Sequence, residues 1–193
     1  MFIPSLIIAA IIVVYVVSIY NDLAKLKTQI VASIQEIGNQ LKRQAALIPN
    51  LLETVKGYLK HEKSIFQMLT DARKAAQKAE KSGSSKDINE AINQIQQAVP
   101  KLSIAVEDNP ELKADKTVTQ FMNELTDTAD KLMYARRSVI DLSQAYNAKL
   151  VIFPSNIIAN LFGFKEEKGL ATALTGSHVE VSSDEMKDVK VQL

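Results

Sequence analysis

Apolar residues fill the first twenty positions without interruption by charge, MFIPSLIIAAIIVVYVVSIY. At a rise of ~1.5 Å per residue, such a run spans the ~30 Å hydrocarbon layer of a bilayer. Pro4 falls in the first turn, where its missing amide proton leaves no internal acceptor unpaired. Tyr20, amphipathic, is placed for the membrane–water boundary. The pattern then changes period: Leu23, Leu26, Ile30, Ile34, Ile37 and Leu41 recur at spacings of 3, 4, 4, 3 and 4, one face of an amphipathic helix. No Pro or Gly separates Tyr20 from Leu23. The apolar segment is therefore expected to continue into the amphipathic one as a single rod of ~40 residues, ~60 Å long. Gly38 is its weak point, at roughly 1 kcal/mol against Ala.

Pro49 disfavours the helical conformation of Ile48 before it, which predicts that the rod ends near Leu47. A second helix opens at Pro49, making LIPN (residues 47–50) a corner. Its apolar face is Leu52, Val55, Leu59, Phe66 and Leu69, fading into Ala72, Ala75, Ala76 and Ala79. SGSS (residues 82–85) is a linker, with Ser84 and Asp87 spaced like a capping box. Ile88, Ile92, Ile95, Val99, Leu102 and Val106 mark a third helix. Pro100 sits within that register, and the undisturbed pattern favours a kink over a split. EDNPELKAD (residues 107–115) is a turn. A long helix follows from about Lys116 to Val151, striped by Val118, Phe121, Leu125, Leu132, Val139, Leu142 and Tyr146, and Pro154 stops it. SNIIANLFGF (residues 155–164) reads as one or two helical turns packing back as a lid. Beyond residue 164 the chain is polar and aperiodic, which predicts a mobile tail.

The expected fold is all-α: an N-terminal transmembrane helix (1–20) continuing into an antiparallel four-helix bundle (21–164), with a short C-terminal helix and a polar tail (165–193). A cleaved signal peptide is the alternative for the first segment. Against it stand the missing basic n-region, the excess length of the apolar run and a poor cleavage site in VVSIYND. Lys25 and Lys27 follow the span and no basic residue precedes it. The positive-inside rule then places the N-terminus outside and the bundle in the cytoplasm.

Charge adds little: 23 basic against 22 acidic residues leave a net +1, so no global field draws the chain onto nucleic acid. Cysteine is absent, which removes disulfides, thiolate metal sites and cysteine nucleophiles. No phosphate-binding, dinucleotide, nucleophile-elbow or zinc-protease motif occurs. His61 and His178 are the only histidines, and His61 follows Tyr58 at three residues rather than the Glu of a di-iron pair. Glu124, Asp127 and Asp130 recur every third residue. They read as a solvated face with an Asp127–Lys131 pair, and only the remotest alternative, a metal-dependent enzyme, joins Glu124 and Asp127 to His61. Lys42, Arg43, Lys56, Lys60 and Lys63 cluster around the expected corner with Tyr58 as the one nearby aromatic, too little for nucleic acid. A contact surface for a protein partner or lipid headgroups competes there with a plain solvated corner. At least one of Arg136 and Arg137 should lie beside the apolar stripe, since Leu132 and Val139 flank them, where a buried pair with an acid is a plausible arrangement.

YNDL, QLKRQAALIPNLLETVKGYLKHE, EDNPELKAD, ARR, YN and FPSNIIANLFGF occur in this order over residues 20–164. In these pieces the chain resembles the LemA family of bacterial membrane-anchored helical proteins. The resemblance implies an N-terminal transmembrane helix, a cytoplasmic antiparallel bundle, no cofactor and no established catalytic activity. It carries over Arg43, Asn50, Lys56, Tyr58, His61 and Glu62, which with Lys42 and Lys60 form a candidate interaction surface. Pro49, Arg73, Pro110, Arg136, Arg137, Asn147, Pro154 and Phe164 carry over as candidate structural positions. RQAAL departs from the Arg-Tyr-Asp-Leu-like sequence of the family. The expected function is a non-enzymatic, membrane-anchored scaffold or assembly protein, held in the lipid bilayer and forming homo-oligomers. The alternatives are an adaptor for an unidentified protein partner and, remotely, a metal-dependent enzyme.

Overall fold

The computed structural model describes residues 2–58 and 62–170. Its described residues form six helices: α1 (Phe2–Val55), α2 (Lys63–Ser82), α3 (Ser85–Glu107), α4 (Pro110–Ala114), α5 (Lys116–Val151) and α6 (Ser155–Leu161). The fold is all-α, as the periodicity predicts.

α1 corrects the expected corner. It runs unbroken for 54 residues, about 80 Å, with Pro49 inside it. LIPN is therefore helix, and the chain turns only after Val55. A proline within a helix costs about 3 kcal/mol. Around it, however, Ile48, Leu51 and Val55 are all buried, each contributing about 1.5–3 kcal/mol. Three such burials outweigh one lost hydrogen bond. These residues extend the stripe of Ile37 and Leu41 through Gln44, a buried polar side chain at the position where a leucine would make the pattern plain.

Cross-helix contacts fix the topology. Lys149 meets Asp22 at 2.9 Å and Arg43 meets Glu124 at 3.6 Å, so α5 runs antiparallel to α1. Lys42 lies 4.0 Å from Glu80, and Lys78 bonds Asp87 at 2.7 Å, making α2 antiparallel to both α1 and α3. The amide of Gln96 reaches the Met133 sulfur at 2.9 Å between α3 and α5. The result is an up-down-up-down bundle of α1, α2, α3 and α5. One apolar cluster threads it, including Leu41, Leu69, Ile92, Leu102, Leu125 and Leu132. A second, smaller cluster joins α1 to α5 and α6 nearer the N-terminal segment: Ile19, Leu23, Ile30, Tyr146, Ile158 and Ala159.

Local signals set the limits. Gly83 ends α2 in the left-handed region at φ 59°, where a side chain is disfavoured. Ser84 caps α3 by accepting from the Asp87 amide at 3.2 Å, as its spacing predicts. Pro100 stays inside α3, which does not split. The expected turn at residues 107–115 contains a helical turn of its own, α4, capped by Asn109 with Pro110 at its first position and Leu112 buried. Asp115 caps α5 through the amides of Thr117 and Val118. Residues 165–170 belong to the structure rather than to the polar tail assigned from the sequence. They form a strap against α5, with Leu170 buried. The rest of the tail, with His178, lies outside the described residues.

Candidate functional site

The turn between α1 and α2 lies at the end of the bundle farthest from the N-terminal segment. Lys56, Gly57 and Tyr58 follow Val55, and the Tyr58 amide donates to the Val55 carbonyl at 3.0 Å. Glu62 resumes the chain, its carbonyl accepting from the amide of Ile65 at 3.1 Å to start α2. Across from this turn stand the end of α3 and the approach to α4. Between them opens a cleft of about 450 Å³ lined by Tyr58, Glu62, Ile65, Lys101, Ile104 and Asp108, among others. Among the described residues, no hydrogen bond or ion pair joins Tyr58, Glu62, Lys101 and Asp108 to one another. The arrangement offers hydrogen-bond donors and acceptors of both charges around an apolar floor at Ile65, a recognition surface in chemical terms.

Not all of the expected surface residues assemble here. Lys56, Tyr58 and Glu62 do. Lys42 and Arg43 sit three to four helical turns back along α1, about 20 Å from Lys56, because α1 continues through Pro49. There they pair with Glu80 and Glu124 across the bundle. The expected basic cluster is therefore dispersed. Asn50 is exposed on the last turns of α1, its carbonyl accepting from the Thr54 hydroxyl at 2.8 Å. Lys60 and His61 lie outside the described residues.

The acidic triplet of α5 is likewise divided. Glu124 faces Arg43, Asp127 bonds Lys131 at 2.7 Å as expected, and Asp130 borders a groove of about 360 Å³ between α3 and α5. That groove is lined by Ile95, Val99, Pro100, Ala129 and Met133. Among the described residues, no three potential metal-ligating side chains converge.

A second built region lies at the other end of the bundle, where the strap crosses α5. The Tyr146 hydroxyl donates to the Lys165 carbonyl at 3.0 Å. Asn147 both donates to the Glu167 carbonyl, at 2.8 Å, and accepts from its amide, at 3.0 Å. Lys27 of α1 completes the clasp with an ion pair to Glu167 at 3.0 Å. That bond raises the ammonium pKa above its ordinary value, and burial raises that of the Tyr146 phenol. Sequence reasoning missed this clasp, although Tyr146 and Asn147 as adjacent polar residues on an apolar face were a usable signal.

Compared with known protein families, the chain matches the LemA family over residues 33–182, well over half of its length. The chain belongs to the LemA family. No individual curated protein matches it. The LemA match begins inside α1, covering the bundle and leaving the apolar half of α1 outside. Of the LemA-like structural positions, Pro49 and Pro110 lie in α1 and α4, and Pro154 directly precedes α6. Phe164 stacks edge-on against Tyr20 at 5.4 Å and Tyr146 at 6.5 Å. Arg137 is exposed and lies 3.7 Å from Asp141. Arg73 and Arg136 are half-buried, and the Nε of each is enclosed without a hydrogen-bond partner among the described residues. Among the described residues, no ion pair joins Arg136 to an acid, whereas the exposed Arg137 has Asp141 beside it.

Proposed function

We propose that this LemA-family protein is a non-enzymatic scaffold, anchored in a membrane by the first part of α1 and presenting its bundle on the cytoplasmic side. The observation that carries this reading is the continuity of α1. The same helix that leaves Ile3, Leu6, Ile11 and Val14 bare to their surroundings later buries Leu41, Leu51 and Val55 in the bundle. An apolar surface of that length on a helix is stable against lipid and costly against water. Lys25 and Lys27 just beyond it support the cytoplasmic placement of the bundle. Confinement to a membrane raises the effective concentration of neighbouring copies, which favours homo-oligomers through weak lateral contacts.

The distal cleft and the α3–α5 groove support a second reading, an adaptor that binds another protein. Alkaline carbonate extraction tests the anchor: the full-length protein stays with the membrane pellet, and release into the supernatant overturns the proposal. Crosslinking in native membranes separates the two readings. Self-adducts alone support the scaffold, and one reproducible foreign adduct supports the adaptor.

A further inference from the structure

The turn from α5 into α6 exposes an apolar surface that nothing in the bundle covers. Residues 151–164, VIFPSNIIANLFGF, include no charged side chain. Val151, Phe153 and Leu161 are each about three-quarters exposed, at 75%, 74% and 74%, and Ile152, Ile157 and Phe162 are exposed beside them. Scattered apolar residues on a surface are ordinary, whereas a contiguous set of branched and aromatic side chains marks a binding face. The opposite face of α6 is already used: Ile158 and Ala159 pack with Val16 and Ile19 of α1.

That packing fixes where the exposed face lies. Val16 and Ile19 form the last turns of the uncharged span, and Tyr20 contacts the Phe162 ring at 5.0 Å. Three segments change from apolar to charged at this level. On α1 the change falls between Ile19 and Asp22, on α5 between Val151 and Lys149, and on the strap between Phe164 and Lys165. The contacts confirm the shared level, for Asp22 bonds Lys149 and Lys27 bonds Glu167 just beyond it. The apolar corner therefore adjoins the exposed apolar wall of α1, which includes Val13 and Val17.

We propose that the α5–α6 corner is a second membrane contact, lying in the bilayer interface beside the α1 span with Phe153, Ile157 and Leu161 among the acyl chains. This rests on the anchored reading above. The occupant is lipid rather than a second copy, because the patch is continuous with the surface that the span itself presents to lipid. The contact is apolar, so a zwitterionic bilayer suffices. A helix of this kind sits about 5–10 Å into the headgroup–acyl boundary, whereas the middle of the span sits at the bilayer centre.

The absence of cysteine makes the test direct. Full-length variants Ile11→Cys, Phe153→Cys, Leu161→Cys and Ile104→Cys, all at exposed positions, are each labelled with an environment-sensitive fluorophore. They are reconstituted into phosphatidylcholine vesicles containing lipid spin-labelled at a shallow or a deep acyl carbon. The label at Phe153→Cys and Leu161→Cys should lose most of its emission to the shallow quencher. Ile11→Cys should lose it to the deep one, and Ile104→Cys, at the far end of α3, to neither. Quenching at Ile11→Cys without quenching at Phe153→Cys and Leu161→Cys overturns the interfacial contact and leaves the anchor standing. No quenching at Ile11→Cys overturns both. Disulfide-linked pairs of unlabelled Phe153→Cys protein, without lipid quenching, assign the patch to a second copy and overturn the proposal.

Discussion

The far part of the bundle and the neck beside the apolar span are held together in different ways. In the bundle, the enclosed surface is mostly apolar and much of it is small, with ion pairs such as Lys42–Glu80, Arg43–Glu124 and Lys78–Asp87 at its margins. α2 contributes Ala72, Ala76 and Ala79 to the seam, which lets its backbone approach α3 and α1 closely. In the neck, few apolar residues are enclosed, and directional contacts position them. These are the edge-on rings of Tyr20, Phe162 and Phe164, the hydroxyl of Tyr146, the paired bonds of Asn147 and two ion pairs to α1. Burial is tolerant of exact geometry and supplies most of the stability. Hydrogen bonds and ring contacts supply less but specify one arrangement. The bundle is built to persist, the neck to be set at a particular angle.

Substitutions in the two regions should therefore differ in kind as well as in size. Leu125→Ala opens a cavity in the bundle at a fully enclosed site and should cost about 2–5 kcal/mol, read as a fall in the urea midpoint of the whole transition. An unchanged midpoint would show that the bundle core is not where stability resides. Gly169→Ala acts on the neck, because Gly169 has φ +56° and an added Cβ would meet the Ser143 hydroxyl oxygen at 2.8 Å. About 1–3 kcal/mol of strain should release the strap. Amide exchange at Glu167 should then rise while the bundle midpoint moves little, and a uniform loss across both regions would erase the distinction. Tyr146→Phe removes one partly buried hydrogen bond, worth about 1 kcal/mol, and should show only as faster exchange in the strap.

A pH-dependent effect belongs to Asp87, at the bundle end nearest the neck. Hydrogen bonds from Lys78, then from Ser82 and Ser84, hold its carboxyl pKa at about 2, below the usual value of 3.8. A carboxyl with a depressed folded-state pKa contributes stability above its unfolded value and loses it as the pH falls towards the folded one. Stability should thus decline between about pH 4 and pH 2 in the parent. The decline should be shallower in Asp87→Asn, measured by urea unfolding across that window. Identical slopes would remove Asp87 from the account of acid sensitivity.

Much of the bundle was legible because its signals are local. α5 begins and ends as expected, with Asp115 capping its start and Pro154 closely following its end, and its apolar stripe names its buried face. Most failures came where distant parts of the chain decide the outcome. Pro49 reads as a breaker on local grounds, and only burial of Ile48, Leu51 and Val55 against other helices keeps it helical. Gln44 hid that continuity by standing polar in an apolar register. The supposed basic cluster then dissolved, since its members had been gathered by a corner that does not exist. The strap at residues 165–170 has no period to betray it: besides the Glu167 carboxylate and the buried Leu170, it is held through backbone carbonyls and one amide, which every sequence possesses.

α1 is also a lever. From Tyr20 to Val55 it extends roughly 50 Å beyond the level of the apolar span, and no joint interrupts it. Transmembrane helices tilt by about 20° on average, with the angle responding to bilayer thickness. With the span held in a bilayer as proposed above, a change of ~10° in its tilt would sweep the cleft around Tyr58 sideways by about 9 Å. On that proposal, thinning or thickening of the surrounding bilayer would be converted into a change of reach at the opposite pole of the molecule.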